Sequence, residues 1–163
     1  MFYRTGTLDD LGQLLQLSVQ TWSKFEALLS PEHYLALYNN ISNPATYTEL
    51  LSNSECFVCA NDKTIIGMAF LMPGGKERDI YEAGWCSIRF VTVHPDYSGQ
   101  GIGRHLTQLC IGKAKENGEK IIALHTSEIM PNARHIYESI GFKILKEIPP
   151  RFGKRYWLYT MDI

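Results

Sequence analysis

Residues 91–110, VTVHPDYSGQGIGRHLTQLC, decide how the rest of the chain is read. A β-branched run ends at a proline, and glycines then fall at every second position, 99, 101 and 103. Ile102, Leu106, Leu109 and Cys110 follow at helical spacing, and Gly118 closes the pattern. The segment predicts a strand, a glycine loop and a helix. At such a junction the first helical amides have no intrahelical acceptor, and the helix dipole leaves partial positive charge there. Glycines keep side chains away from those amides. The backbone of Gly99, Gln100, Gly101, Ile102, Gly103 and Arg104 is therefore a candidate seat for a phosphate-like anion, with the Arg104 side chain as an added cation. Arg104 stands where the dinucleotide pattern G-x-G-x-x-G needs its last glycine, and the chain has no G-x-x-x-x-G-K-[ST] run.

Working outward, the hydrophobic period alternates between two and 3.6. FYRTGT reads as a first strand, and Thr7 with Asp10 opens a helix in a capping arrangement, its apolar face carrying Leu8, Leu11, Leu14, Leu15 and Trp22. Ser30-Pro31 starts a second helix, with Tyr34, Leu35 and Tyr38 as its apolar side, and a further short helix follows Pro44. CFVCA and TIIGMAFLM form a hairpin around NDK. GWCSIRFVTV is a long strand, with Ile88 and Phe90 on one face and Arg89, Val91 and Val93 on the other. KIIALHT is the strand after the glycine-loop helix, PNARHIYESIG a short helix, and FKILKEI and KRYWLYTMDI close the chain around a turn spanning 149–153. A strand–helix–strand unit crosses over right-handed, so Val93 and Leu124 belong to neighbouring parallel strands. The expected fold is α/β (α+β), one mixed sheet with helices on both faces, and residues 1–163 are read as a single domain.

The 163 residues are 45% hydrophobic, enough for one domain with a core of its own. A net charge of −1 and a pI near 6.5 argue against nucleic acid as partner. No apolar run approaches the ~20 residues of a membrane span, and the N-terminal stretch has no apolar signal region, so no membrane association is expected. Cys56 and Cys59 spell C-x-x-C, but residues three apart on a strand face opposite sides, and no second pair completes a metal set. The four cysteines read as buried thiols of a reducing compartment, the cytoplasm, and no metal site is expected.

Two motifs together carry a family resemblance. VHPDYSGQGIGRHL resembles the pyrophosphate-binding motif R/Q-x-x-G-x-G/A of the GNAT superfamily of acyl-CoA-dependent N-acyltransferases, and ARHIYESIGF resembles that family's A-x-x-x-Y-x-x-x-G-F segment. FYRTGTLDDLGQLLQL is similar to its first strand and helix. The resemblance implies a mostly antiparallel sheet whose central parallel pair splays into a V. Acetyl-CoA would lie in that V as cosubstrate, its pyrophosphate on residues 99–104 and its pantetheine arm along Val91 and Val93. The Val91 amide would face the thioester oxygen, and Tyr137 would protonate the leaving thiolate. The chain departs from the family pattern at Ser98, where Arg or Gln is usual, and at Met130, three residues before Ala133, where many members place Asn; both positions and Ala133 remain in the cofactor track.

The acceptor implied is a primary amine, on a small molecule or a peptide, and it must lose a proton before it attacks. Ser87 stands where some relatives carry a glutamate. Glu82, His125 and Glu128 are candidate bases by their place at strand ends, while His94, His105 and His135 read as structural. Trp22, Phe25, Tyr34 and Tyr38, joined by Tyr81 and Trp85, are candidates for the acceptor pocket. The residues also allow a module that holds acyl-CoA without turnover, as a sensor or assembly part. An exposed edge among the closing strands allows a homodimer.

Overall fold

The computed structural model describes all residues, Met1–Ile163. Seven strands form one sheet in the order β1-β2-β3-β4-β5-β7-β6, built from β1 Phe2–Thr5, β2 Glu55–Asn61, β3 Thr64–Met72, β4 Trp85–Val93, β5 Ile121–Ser127, β6 Lys143–Arg151 and β7 Lys154–Asp162. Every neighbouring pair is antiparallel except β4 and β5, the parallel pair expected from the strand–helix–strand unit. Five α-helices accompany the sheet: α1 Leu11–Trp22, α2 Pro31–Ile41, α3 Pro44–Asn53, α4 Ile102–Glu116 and α5 Pro131–Ile140.

Alternation along β3 shows how both faces are covered. Ala69 and Leu71 pack in the cluster that holds Leu106 and Cys110 of α4, whereas Met68 and Phe70 pack with Leu14 and Leu17 of α1 and Tyr47 of α3. Cys56 and Cys59 divide in the same way, one in each cluster, so the two thiols lie on opposite faces of β2. All four cysteines are free and buried. The N-terminal capping box of Thr7 and Asp10 is present, but it opens a short 3-10 turn, Leu8–Asp10, before α1 begins. Leu8 is thereby exposed rather than on the helix's inner face. Asp10 is held by both Arg4 guanidinium nitrogens at 2.8 Å, and these bonds draw its carboxyl below the usual range.

Three sequence expectations are corrected. In α2 the inward stripe is Leu37 and Ile41, while Leu35 and Tyr38 face solvent; both stripes have helical spacing, and packing beneath β4 selects the aliphatic one. The turn between the last strands is confined to Phe152 and Gly153, both at positive φ, and β6 runs through Pro149 and Pro150. Prolines are tolerated there because β6 is the edge strand, where missing N–H donors blunt further pairing. The third correction concerns β4. Arg89 pairs with Phe70 and Thr92 with Met68, so three steps on β4 answer two on β3. The extra residue is a β-bulge centred on Phe90, whose φ is 53°. Past the bulge the faces are exchanged. Ile88, Val91 and Val93 pack on the α4 side, while Phe90 packs on the α1 side and Arg89 turns away from Val91.

Helix α4 lies close against the sheet because β3 carries Gly67 beneath its first turn. A Cβ at Gly67 would stand 2.8 Å from Ile102 Cγ2 and 3.1 Å from Leu106 Cδ1. Gly67→Ala is expected to lower unfolding free energy by ~1–3 kcal/mol, as overpacking does in a filled core. Urea denaturation of both proteins, with unchanged m-value, checks this.

Candidate active site

The β4–β5 ladder contains only Trp85–Ile121, Cys86–Ile122 and Ser87–Ala123. Beyond Ser87 and Ala123 the two strands have no mutual pairs, although both continue for several residues. Their facing edges are left without a strand partner, and the gap between them opens into two cavities of about 400 and 480 Å³. The cavities share Trp22, Val91, Met130, Ala133 and Tyr137 as common wall.

The first cavity is floored by the glycine loop. Gly101 occupies the N-cap of α4 in the left-handed region at φ 80°, and the first intrahelical bond runs from the His105 amide to the Gly101 carbonyl at 3.0 Å. The amides of Ile102, Gly103 and Arg104 therefore precede the helical ladder and have no acceptor within it. No side chain crowds the loop: a Cβ placed at Gly99 or Gly101 would meet nothing within 4 Å. Lys24 and Arg104 add cations to the wall, and no carboxylate lines it. Arg104 is steadied by a bond to Ser139 Oγ at 2.6 Å, which ties α4 to α5.

Of the residues singled out from the sequence, Val91, Val93, Ser98, Gly99, Gly101, Ile102, Gly103, Arg104, Met130, Ala133 and Tyr137 all line this cavity. Gln100 does not, and its side chain is exposed. Ile102 contributes through its backbone, since its side chain is core against Gly67. Sequence reading missed Thr21, Lys24 and Ile129. Their only signal was position at an element's end, which periodicity does not weight.

Tyr137 sits where the two cavities meet. Its ring packs edge-on against Phe142 at 6.0 Å, and its hydroxyl makes no hydrogen bond to the protein. Burial, and then the nearby Cys110 and Tyr81, push its pKa well above the ordinary phenol range, so it is protonated at every physiological pH. No cysteine lines either cavity, and burial raises the thiols as well, that of Cys56 to about 12.

The second cavity is walled by α2, the splayed halves of β4 and β5, and the β6–β7 turn. Of the aromatics expected there, only Trp22 lines it. Phe25 lines the first cavity, Tyr34 and Tyr38 stack on each other away from both, and Trp85 reaches neither. The α2 contribution comes instead from His33, Leu37 and Asn40. Tyr81 acts from behind, its hydroxyl bonded to His125 Nδ1.

Among the candidate bases only His125 lines a cavity. Glu82 is exposed, Glu128 accepts the Arg155 amide at 3.0 Å outside the site, and Ser87 is buried at the last β4–β5 pair. Burial lowers the His125 pKa to about 3, with help from Arg89 and Arg151. The ring is thus neutral at pH 7. His94 is structural as expected: its Nδ1 accepts the Asp96 amide at 3.2 Å and caps the turn before the glycine loop. No helix of the structure is long and apolar enough to cross a membrane.

A model of the acetyltransferase (GNAT) family matches residues 14–142. The Xenopus laevis protein named "Probable N-acetyltransferase camello" is 32% identical over 114 residues, 69% of this chain and 50% of that protein. The L-amino acid N-acyltransferase MnaT of Escherichia coli (strain K12) is 31% identical over 71 residues, 42% of this chain and 40% of its own. The chain spans about half the length of the curated relatives it matches. Among solved structures, the PaiA N-acetyltransferase from Thermoplasma acidophilum in complex with coenzyme A superposes with a TM-score of 0.81 at 15% identity, covering 99% of this chain and 98% of that one. The last likeness is one of fold.

The displaced pKa of His125 has a consequence for stability. Its folded value, about 3, lies below the ordinary 6.5, so between these pH values the unfolded chain binds the proton that the folded chain excludes. The stability this histidine leaves intact above pH 6.5 is lost progressively as pH falls toward 3. Thermal unfolding from pH 7 to 5 should show a smaller drop in Tm for His125→Gln than for the parent protein; equal drops would contradict the assignment.

Proposed function

The chain belongs to the acetyltransferase (GNAT) family, and from that premise we propose that residues 1–163 act as one acyltransferase domain that moves the acetyl group of acetyl-CoA directly to a primary amine. The observation that carries this reading is the meeting of two cavities at Tyr137, one floored by free helix amides and the other open to a second substrate.

In this reading the pyrophosphate lies on the amides of residues 99–104, favoured by the α4 dipole and by Lys24 and Arg104. The pantetheine arm follows the unpaired edge of β4 at Val91 and Val93, as an added strand would. The Val91 amide stabilises the oxyanion that forms when the amine attacks the thioester carbon. A C–N bond forms, the C–S bond breaks, and the sulfur takes the Tyr137 proton while the nitrogen releases one. The tyrosinate regains its proton from that released by the amine. That no thiol faces either cavity supports direct transfer over an acyl-cysteine intermediate.

A thiol near pKa 8.5 and a phenol near 10 are closely matched in water. The burial that raises Tyr137 raises a thiolate in the same gap too, so the match is preserved. The four unpaired thiols fit a reducing compartment such as the cytoplasm.

Thiol release from acetyl-CoA across an amine panel tests the transfer; tight coenzyme A binding without turnover on a broad panel would instead support a non-catalytic acyl-CoA module. Tyr137→Phe is expected to lower kcat by about 100-fold, the lower range for general acid catalysis, with coenzyme A affinity within about twofold. Equal losses in both would reduce Tyr137 to a packing role. Gly101→Ala forces a side chain into the left-handed region at a cost of ~1 kcal/mol and displaces the amides it precedes. Calorimetry should show coenzyme A binding weakened by about tenfold.

A further inference from the structure

The second cavity contains two polar groups with no partner, and both are unusual for this chain. Of its seven arginines, Arg4, Arg78, Arg104, Arg134, Arg151 and Arg155 each have a side-chain hydrogen bond to a carboxylate, hydroxyl or carbonyl. Arg89 has none, and it forms no ion pair. Its guanidinium lies 5.8 Å from the ring centres of both Tyr81 and Phe90, which hold it in place but supply no anion. Thr126 Oγ1 is the one buried side-chain polar atom without a hydrogen-bond partner, and the residue is 2% exposed. Arg89 lies two residues past the last β4 pair and Thr126 three past the last β5 pair, so both border the open part of the V.

None of the 19 residues lining this cavity is Asp or Glu. Arg151 also lines it, but its charge is met by Asp79 at 2.8 and 3.0 Å. Arg89 therefore supplies the unmet positive charge among the arginines of the wall. A half-buried guanidinium cannot discharge itself by losing a proton, and its lack of a partner is relieved by a carboxylate that fits its planar donors. A polyamine, or a lysine beside other cations, would meet repulsion here and no acid to bind it. The pKa of His125 is lowered first by burial and then by Arg89 and Arg151, the same charges that face the cavity. Most of the remaining wall is apolar, including Leu37, Ile41, Phe152 and Trp22, with His33 and Asn40 as polar exceptions on α2, and the volume suits a small molecule.

We propose that the acceptor is an amino-acid-like zwitterion, with its carboxylate on the Arg89 guanidinium, its amine toward Thr126 and Tyr137, and an apolar side chain against α2 and the β6–β7 turn. This rests on the acyl-transfer reading of the same cavity. Arg89 reaches this side by the regular register of β4, opposite Phe70, and the bulge at Phe90 that follows returns Val91 to the α4 side, so the strand serves one cavity with Arg89 and the other with Val91 and Val93.

The test uses the full chain, with and without coenzyme A, and three matched probe sets: leucine, methionine and phenylalanine, each beside its amide and its decarboxylated amine. Calorimetry should show at least one amino acid binding tighter than both its companions by about tenfold or more, the factor expected of charge-assisted hydrogen bonds. Arg89→Met and Arg89→Gln, each with coenzyme A affinity and Tm as folding controls, should lose that preference. A smaller ratio in all three sets, or a preference that survives in a folded Arg89 variant, overturns the proposal. Thiol release is scored separately. Turnover of amides and simple amines without acid preference sinks the carboxylate site alone, whereas acid preference in binding without turnover keeps the site and sinks the transfer reading.

Discussion

Two parallel strands that begin paired and then part are the constraint on which both cavities, and the chemistry proposed for them, depend. β4 and β5 share a ladder for three residues, and the α-helical covering continues on both faces while the ladder does not. An open ladder inside a protein is costly, because buried N–H and C=O groups need partners. The split is stabilised locally by the bulge at Phe90, which takes an extra residue into β4 and bends it. Phe90 accepts positive φ at a cost of ~1–3 kcal/mol, held by aromatic packing against Tyr47 at 5.6 Å. In the proposed function the gap then supplies free backbone for the cosubstrate and a passage to the second cavity for the acceptor.

The anion seat depends on the same sheet. Helix α4 is aimed at the gap because its first turn rests on Gly67, where any larger residue would lift it. The lifted helix would carry the amides of residues 102–104 out of line with the strand edge. Position and charge are thus set by different residues. Gly67 and Gly101 place the amides, and in the proposed function the helix dipole, with Lys24 and Arg104, attracts the pyrophosphate. The Ser98 departure from the family's usual Arg or Gln falls in a loop whose binding groups are mainly backbone, and Lys24, supplied from beyond α1, provides charge that the motif position lacks.

What could be read in the sequence divides along a physical line. Strand and helix positions, the parallel pair and the glycine loop follow from local periodicity, and all appear nearly where the residues imply. The first cavity follows as well, because a motif names backbone positions in one contiguous loop. The face of α2 and the second cavity were not legible. Tyr34 and Tyr38 have the same spacing as Leu37 and Ile41, and only the shape of the underlying strand chooses between them. Alternation along β4 misplaced Arg89 and Phe90, since a bulge at a phenylalanine has no glycine to announce it. That single extra residue puts Val91 and Val93 on the α4 side with Ile88 and leaves Arg89 on the α1 side with Phe90.

The absence of a carboxylate in either cavity bears on how the amine is deprotonated in the proposed reaction. A base such as glutamate would hold the ammonium form and raise its pKa before taking its proton. Here the opposite arrangement prevails. Burial first, and then Arg89 and Arg151, lower the pKa of His125, and these act with the same sign on any ammonium that enters beside them. The protein then favours the neutral nucleophile by repelling its conjugate acid, and released protons pass to water or to the tyrosinate left by thiol departure. A carboxylate on the acceptor reconciles this with binding. It pairs with Arg89 when the substrate docks, so the positive charge draws the zwitterion into the cavity, and burial is what then disfavours its ammonium.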